Sequence, residues 1–443
     1  MKKLAIVLVI ALTAVLFLPA CSSGGSPAPA PSEPAAAAES APAAESAPQT
    51  EAAAVELSLL TWDPDIQEVC AEINNKFIAE NPGVTISVDI IPGDQYETVL
   101  NTRVLAGESP DVFMYFGSSA NKMIADNFWG KVTDSAFVSR LIPGFDDSVS
   151  YRGDVFGFPM NASGNGVFYN KDAFAQAGAS VPATYAEFLE TCEKLKSAGI
   201  DPIALGGIDV WPIQHFIANF VATFVITADP DYEMKRINGD ITYAQTEYPA
   251  MFTRIMELAQ NDYIARGSLG ITHDQSVESV ANGSAAMLLN GSWTVGQLQE
   301  INPDGNFGYF PLPNDDGKYT ITAFVDKAIG FSPTSAHADV ARKLVEFYAE
   351  PAQAKMYLEA AHSMPTLTDV TPDISADASV EFAERLATSQ VVGFFQNFMP
   401  NSTYDEATKG VQAILAGDTN INAIIESMDR TFDQDKASVI LPE

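Results

Sequence analysis

The sequence predicts an α/β protein of two lobes, and three observations carry that prediction. From residue 55 onward, short apolar runs alternate with segments of helical period, the pattern of strands and helices stacked in layers. A second unit of the same kind starts near Thr184. Between them lies residues 156–171, FGFPMNASGNGVFYNK, apolar at both ends and polar in the middle. Gly164 and Gly166 weaken a strand interior there and permit close backbone approach. The stretch reads either as a buried strand with a bulge or as a crossover strand joining two lobes. In the second reading Asn161 and Ser163 face a cleft between the lobes.

At the start of the chain, Lys2 and Lys3 precede an apolar run over residues 4–18, shorter than the roughly 20 residues of a membrane span. A basic segment followed by a short apolar one is the pattern of a secretory signal. It ends in Leu18-Pro19-Ala20-Cys21, followed by Ser22-Ser23-Gly24-Gly25. This is similar to a bacterial lipoprotein signal over residues 1–21, with Cys21 as the lipidated residue. An ordinary signal peptide or an uncleaved anchor are the alternatives. Residues 22–54 are almost wholly Ala, Pro, Ser, Glu and Gly, with no aromatic residue and no aliphatic one larger than Ala. Such a segment cannot bury enough apolar surface to offset its ordering entropy, so it reads as a disordered tether.

The remaining length suits two or three domains at about 150 residues each. Lys and Arg number 24 against 57 Asp and Glu, a formal net charge of −33, which disfavours binding to a phosphate backbone. Besides Cys21 there are Cys70 and Cys192, both at core-facing positions of predicted helices: two buried thiols, or a disulfide between them.

Taken in order, residues 55–61 form a first buried strand, followed by Trp62-Asp63-Pro64-Asp65. Ile66, Val69, Cys70, Ile73, Phe77 and Ile78 recur at helical spacing until Asn81-Pro82-Gly83 stops the helix. Residues 84–91 alternate as a second strand, 96–106 are helical, and 111–116 form a third strand. In open α/β sheets ligands sit beyond the carboxyl ends of the strands, which draws Asp63, Asp65, Tyr115 and Ser118 together. After the central stretch, Thr184 with Glu187 makes a capping-box pattern and opens a helix. Residues 202–206 read as a strand, and Trp211-Pro212 leads into another helix. Residues 283–293 read as turn, strand and loop with Trp293 at its tip. Residues 307–312 and 321–332 are extended, 340–348 is an amphipathic helix, and 380–432 is mostly helical, with a break at Met399-Pro400-Asn401.

By this point the chain resembles the extracellular solute-binding proteins of carbohydrate ABC importers, the maltose-binding-protein-like family. The resemblance runs over most of residues 55–432. Its carriers are Leu60-Thr61-Trp62-Asp63, Leu105-Ala106-Gly107-Glu108-Ser109-Pro110-Asp111-Val112, Phe158-Pro159-Met160 with Phe168-Tyr169-Asn170-Lys171-Asp172, Pro182-Ala183-Thr184-Tyr185-Ala186-Glu187-Phe188, and Asn282-Gly283-Ser284-Ala285-Ala286-Met287 with Asn290-Gly291-Ser292-Trp293. It implies a two-lobe, type II periplasmic-binding-protein-like fold with a hinge and an interlobe ligand cleft. Lobe 1 would comprise residues 55–162 and 313–362, lobe 2 residues 163–312 and 363–443. The implied role is capture of an oligosaccharide or monosaccharide, closure by hinge motion, and delivery to membrane permease subunits by a monomer anchored through Cys21 on the extracytoplasmic face of a bacterial membrane. No cofactor, catalytic residue or metal is expected.

A sugar presents weakly apolar C–H faces and fixed hydroxyls, so its cleft needs aromatic platforms with a few carboxylates, amides and hydroxyls. The resemblance places Trp211, Trp293 and Tyr404 as stacking rings of lobe 2 and Tyr115 in lobe 1. Ser163 falls where the family's maltose-binding member has an acidic ligand. Asp63 and Asp65 lie in the loop after the first strand, and Phe394, Phe395 and Gln396 form a candidate lid. Trp62 reads as core, Asp111 as a turn cap, and His215 as a hydrogen-bonding or core histidine; Tyr404 could equally pack between helices. Phe394 and Phe395 are adjacent, so at most one of them touches a ligand. Two rival classes remain open. The carboxylates Asp63 and Asp65 suggest a glycosidase, although Gly-x-Ser-x-Gly, His-Glu-x-x-His and Walker A patterns are absent. The acidity would suit a polyamine site, and a peptide is a further possible solute.

Overall fold

The alternation of strands and helices closes into one sheet. In the computed structural model, which describes residues 54–439 apart from 118, 119 and 374, β1 (Val55–Thr61) pairs in parallel with β2 (Val84–Ile90) and with β3 (Val112–Phe116). The signal, Cys21, the tether up to residue 53 and Ser118 lie outside the described residues. Helix Gln67–Glu80 joins the first two strands and buries Val69, Cys70, Ile73 and Phe77, one stripe of a 3.6-residue period. It ends where Asn81 Nδ2 donates to the Phe77 carbonyl at 2.8 Å and Gly83 takes a φ of 92°. Helix Gly93–Leu105 leads on to β3.

A two-strand hairpin, β4 (Ser150–Tyr151) and β5 (Asp154–Val155), precedes the long strand β6 (Phe158–Asn170), whose 13 residues are all buried. Beyond it come β7 (Asp201–Ala204), β8 (Ala285–Gly291), β9 (Phe307–Phe310), β10 (Thr320–Phe331) and β11 (Gln390–Val392). The strand order is β2-β1-β3-β10-β6-β8-β7, with β9 on β6 and β11 on β10. β6 holds both ends of this sheet together. Its first half pairs with β10, from Ile329–Phe158 to Ala323–Gly164; its second half pairs with β8 and β9. The 156–171 stretch is therefore a crossover strand, and it carries an irregularity too, because the β10 register shifts on either side of Lys327.

Two large cores flank the crossover. The first gathers residues from Leu57 to Met160 and from Val325 to Val370; the second gathers residues from Val167 to Leu312 with Phe324 and Phe394 to Phe432. A smaller cluster contains Ala162, Phe168, Met364 and Phe382. The cores change over inside β10, between Phe324 and Val325, and Leu367 and Val370 pack with the first, whereas the sequence suggested divisions at 312/313 and 362/363. Cys70 sits in the first core and Cys192 in the second; both are buried free thiols, not a disulfide.

Gly166 shows why the crossover needs glycine. A Cβ there would fall 2.0 Å from a ring carbon of Tyr309, whose hydroxyl donates to the Asn165 carbonyl at 3.2 Å. Gly166→Ala is expected to cost about 1–3 kcal/mol, the usual penalty of overpacking. Urea denaturation measures it, and an unchanged midpoint would contradict the packing described.

Candidate functional site

Three helices, one of the second core and two of the smaller cluster, begin at one place. Helix Trp211–Phe220 opens with Trp211 and carries Pro212 in its first turn, where a missing N–H breaks no helical bond. The preceding Val210 has a φ of 64°, rare for a β-branched residue, so the turn that presents Trp211 holds backbone strain. Helix His273–Ala281 starts from a capping box of Thr272 and Gln275. Helix Thr294–Ile301 follows β8 directly, with Trp293 as its N-cap residue.

The three starts bring their side chains into contact. The ring of Trp211 lies 4.3 Å from His273 and 6.1 Å from Trp293. One helical turn beyond Trp211, His215 stands edge-on to Trp293 at 4.8 Å. Phe324 of β10 and Phe394 stand behind His215 at 6.0 and 5.3 Å. Trp211, Trp293 and His215 each keep part of their surface open.

The crossover strand supplies the polar part. Alternate residues of a strand point to opposite faces. A Cβ on Gly164 would meet Phe382, and Ala162 belongs to the cluster of Met364 and Phe382. Asn161, Ser163 and Asn165 occupy the other face. Asn161 Nδ2 donates to Asp326 Oδ2 at 3.2 Å and to Ser363 Oγ at 3.1 Å. Asn165 Oδ1 lies 3.0 Å from His215 Nδ1.

Opposite the rings, the first core contributes charge. The Lys327 ammonium, its side chain 8% exposed, is held between Asp63 at 2.9 Å and Asp326 at 2.8 Å. Burial by itself would lower this ammonium's pKa, but Asp326 and Asp63 outweigh it and hold the pKa well above the usual lysine value. Asp63 Oδ1 also accepts the Asp65 N–H at 2.9 Å. Burial first, and then the charge of Asp63, raises the Asp65 carboxyl.

A short relay bridges the two sides. Gln297 Nε2 donates to Asp65 Oδ2 at 3.0 Å, and Gln297 Oε1 lies 2.8 Å from His273 Nε2. An amide oxygen only accepts, so His273 Nε2–H is the donor in the second bond, and burial lowers the His273 pKa. A hydrogen bond to a charged group contributes about 1.5–3 kcal/mol, so Gln297→Ala is expected to shift a closed-to-open ratio by roughly ten- to a hundredfold. Small-angle scattering of the ligand-free variant should show a larger radius of gyration than the wild type. An identical scattering curve would show that the relay does not hold the sides together.

Of the residues singled out from the sequence, Asp63, Asp65, Asn161, Ser163, Trp211 and Trp293 converge here. Phe394, expected as a lid over the ligand, is 4% exposed in the second core behind His215, and its neighbour Phe395 is 1% exposed, so in this conformation packing against His215, Phe324 and Tyr404 occupies both rings. Two tyrosines must be reassigned in this conformation. Tyr115 is 1% exposed in the first core, where burial and then Glu97 push its hydroxyl pKa far up. Tyr404 is 2% exposed behind Phe394 and Phe395. Neither offers a ring face, because helix and strand packing consumes both faces. Trp62 is partly buried against Phe116, 4.2 Å between rings. Asp111 accepts the Ser58 N–H at 2.8 Å and hydroxyl at 2.7 Å, pinning β1 to the start of β3 rather than capping a turn.

Sequence reasoning missed Asn165, His273, Gln297, Asp326 and Lys327. Only the last two carried a signal, an Asp-Lys pair inside an otherwise apolar strand, where charges occur only when paired. Two surface hollows of about 450 and 310 Å³ lie elsewhere, the first lined by Tyr185, Arg254 and Asp315, the second by Asp304, Phe307 and Asp377.

A family profile described as bacterial extracellular solute-binding protein matches residues 62–355. The multiple sugar-binding protein of Streptococcus mutans is 24% identical over 307 residues, 68% of this chain and 73% of that protein. The melibiose/raffinose/stachyose-binding protein MelE of Bacillus subtilis is 25% identical over 347 residues, 74% of this chain and 77% of that one. Among solved structures, a sugar transporter of Bacillus licheniformis in complex with stachyose superposes with a TM-score of 0.74 at 22% identity, covering 86% of this chain and 100% of that one. RafE in complex with raffinose gives 0.74 at 21% identity, with the same coverage. The chain shares their two-lobe fold.

Proposed function

This chain belongs to the family of bacterial extracellular solute-binding proteins, and from that premise we propose that it captures a saccharide in the cleft between its lobes. The single observation that carries this reading is the convergence of two part-open indoles, Trp211 and Trp293, on a strand face of small polar side chains. Indole faces accept the C–H face of a pyranose, and Ser163 and Asn165, whose Oγ and Nδ2 have no partner among the described residues, supply hydroxyl partners. The relatives named for melibiose, raffinose and stachyose point to an oligosaccharide. The lobes divide near Asn161 on β6 and Val325 on β10, and close over the guest by bending where those strands cross.

The protein is a binder and not a glycosidase on this reading. A glycosidase sets two carboxyl groups apart on opposite sides of the scissile bond. Here Asp63 is tied to Lys327 and to the Asp65 backbone on the same turn. Delivery is to the permease subunits of an ABC importer, with the domain held to the outer face of the cell membrane through Cys21 and the tether of residues 22–54.

A thermal-shift panel tests the reading. Melibiose, raffinose, stachyose, chitotriose and spermidine are each added to the purified domain. A ligand at 100 times its Kd adds about 2.7 kcal/mol to stability, so at least one saccharide should raise Tm clearly. Stabilisation by spermidine alone, or by none of them, would contradict the proposal.

A further inference from the structure

Asn165 stands out among the polar residues of the cleft because half of its amide is unspent. The residue is 3% exposed. Its Oδ1 faces His215 Nδ1 at 3.0 Å, while its Nδ2 has no hydrogen-bond partner among the described residues. Ser163 Oγ, two residues earlier on the same strand face and 0% exposed, is likewise without one. A buried donor left unpaired costs about 1–3 kcal/mol, and native proteins keep few of them.

The contact with His215 sets the sense in which the amide lies. His215 is neutral, since burial first and then His273 push its pKa down to about 3. With Oδ1 toward the ring, Nδ1 carries the proton and donates, which fixes the tautomer and points Nδ2 away from the imidazole. The groups packed around His215 are Trp211, Trp293, Phe324 and Phe394, all uncharged, with His273 beyond Trp211. The same imidazole stands edge-on to Trp293, so a single ring orients both the platform and the amide.

We propose that Asn165 is a specificity-determining residue of the cleft, its Nδ2–H donating to one oxygen of a saccharide stacked on Trp293, with His215 as the positioning residue that holds the amide in that sense. This rests on the saccharide reading above and adds to it a discrimination. A site with a buried donor rejects an analogue lacking the matching oxygen far more strongly than an apolar pocket rejects an added group. Deoxygenation at that one position should therefore cost much more affinity than at the sugar's exposed positions.

The test uses the whole domain with ¹⁵N-labelled asparagine and raffinose, stachyose and chitotriose as probes. Intrinsic tryptophan fluorescence reports binding, and the Asn165 side-chain amide signal, assigned by its loss in Asn165→Ala, reports the contact. The expected result is a shift of that amide that saturates together with the fluorescence change. Asn165→Ala should lower affinity about ten- to a hundredfold in a variant shown to be folded by circular dichroism. Asn165→Asp, which places a carboxylate against His215, should make the imidazole titrate nearer neutrality and make affinity depend on pH, whereas wild-type affinity stays flat between about pH 5 and 8. Fluorescence that saturates while the amide signal stays still, or Asn165→Ala with wild-type affinity, overturns the inference and leaves the saccharide reading standing. No fluorescence change with any probe overturns both.

Discussion

Trp293→Ala is expected to weaken saccharide binding by roughly thirtyfold or more, the effect of losing an anchor worth about 2 kcal/mol at the centre of a desolvated contact. Trp211→Ala should act in the same direction. The reason lies in where the rings are held. Trp293 sits at a helix start and its ring covers Gly291, where a Cβ would come within 2.1 Å of the indole. The ring therefore lies over bare backbone at the strand end and keeps an open outer side. Truncation removes a platform and leaves the second core, built around Phe216, Ile217 and Leu289, intact. Calorimetry on variants shown to be folded by circular dichroism measures the loss. Unchanged affinity in both would remove the indoles from the site.

Lys327→Met is expected to destabilise the domain by about 3–5 kcal/mol, the cost of breaking a buried ion pair by deleting one partner. Methionine fills similar space, so the loss is electrostatic. Asp63 and Asp326 would remain near the bend of the crossover with no counter-charge. The Lys327 pKa is held above that of the unfolded chain, so its contribution is fully present below the unfolded value and is lost only as pH rises through the folded one. The deficit against wild type should therefore be the same at about pH 6 and about pH 8. Urea denaturation at the two pH values checks it, and a midpoint equal to that of wild type would show that the ammonium does not stabilise this place.

Much of the fold was legible because its strands announce themselves. β1 was read at its observed limits, and the helices after it followed from spacing of Val69, Ile73 and Phe77. The 156–171 stretch was read as crossover or bulged strand and turns out to have both features, since a strand that leaves one core for another needs small residues where it is crossed. Lobe limits were less legible, because β10 changes core in mid-strand and no composition marks the point between Phe324 and Val325. At the site, loop tryptophans were legible since a large ring beside Pro212 or after Gly291-Ser292 has little reason to be in a loop. Tyr115 and Tyr404 were misleading. Tyr115 sits at the end of a strand that a topology rule sends toward the cleft, Tyr404 came from the family resemblance with packing between helices as its alternative, and only packing shows which way a ring turns. Asn165, Gln297 and His273 were invisible, because their roles depend on contacts between residues up to 232 positions apart, as in the Gln297–Asp65 bond.

The most direct test of the cleft is a crystal structure of the domain grown with the saccharide that gives the largest thermal shift. A sugar ring is expected against Trp211 or Trp293, with one oxygen within hydrogen-bond distance of Asn165 Nδ2. A saccharide bound elsewhere, such as the hollow beside Arg254 and Asp315, with both indoles untouched, would contradict it.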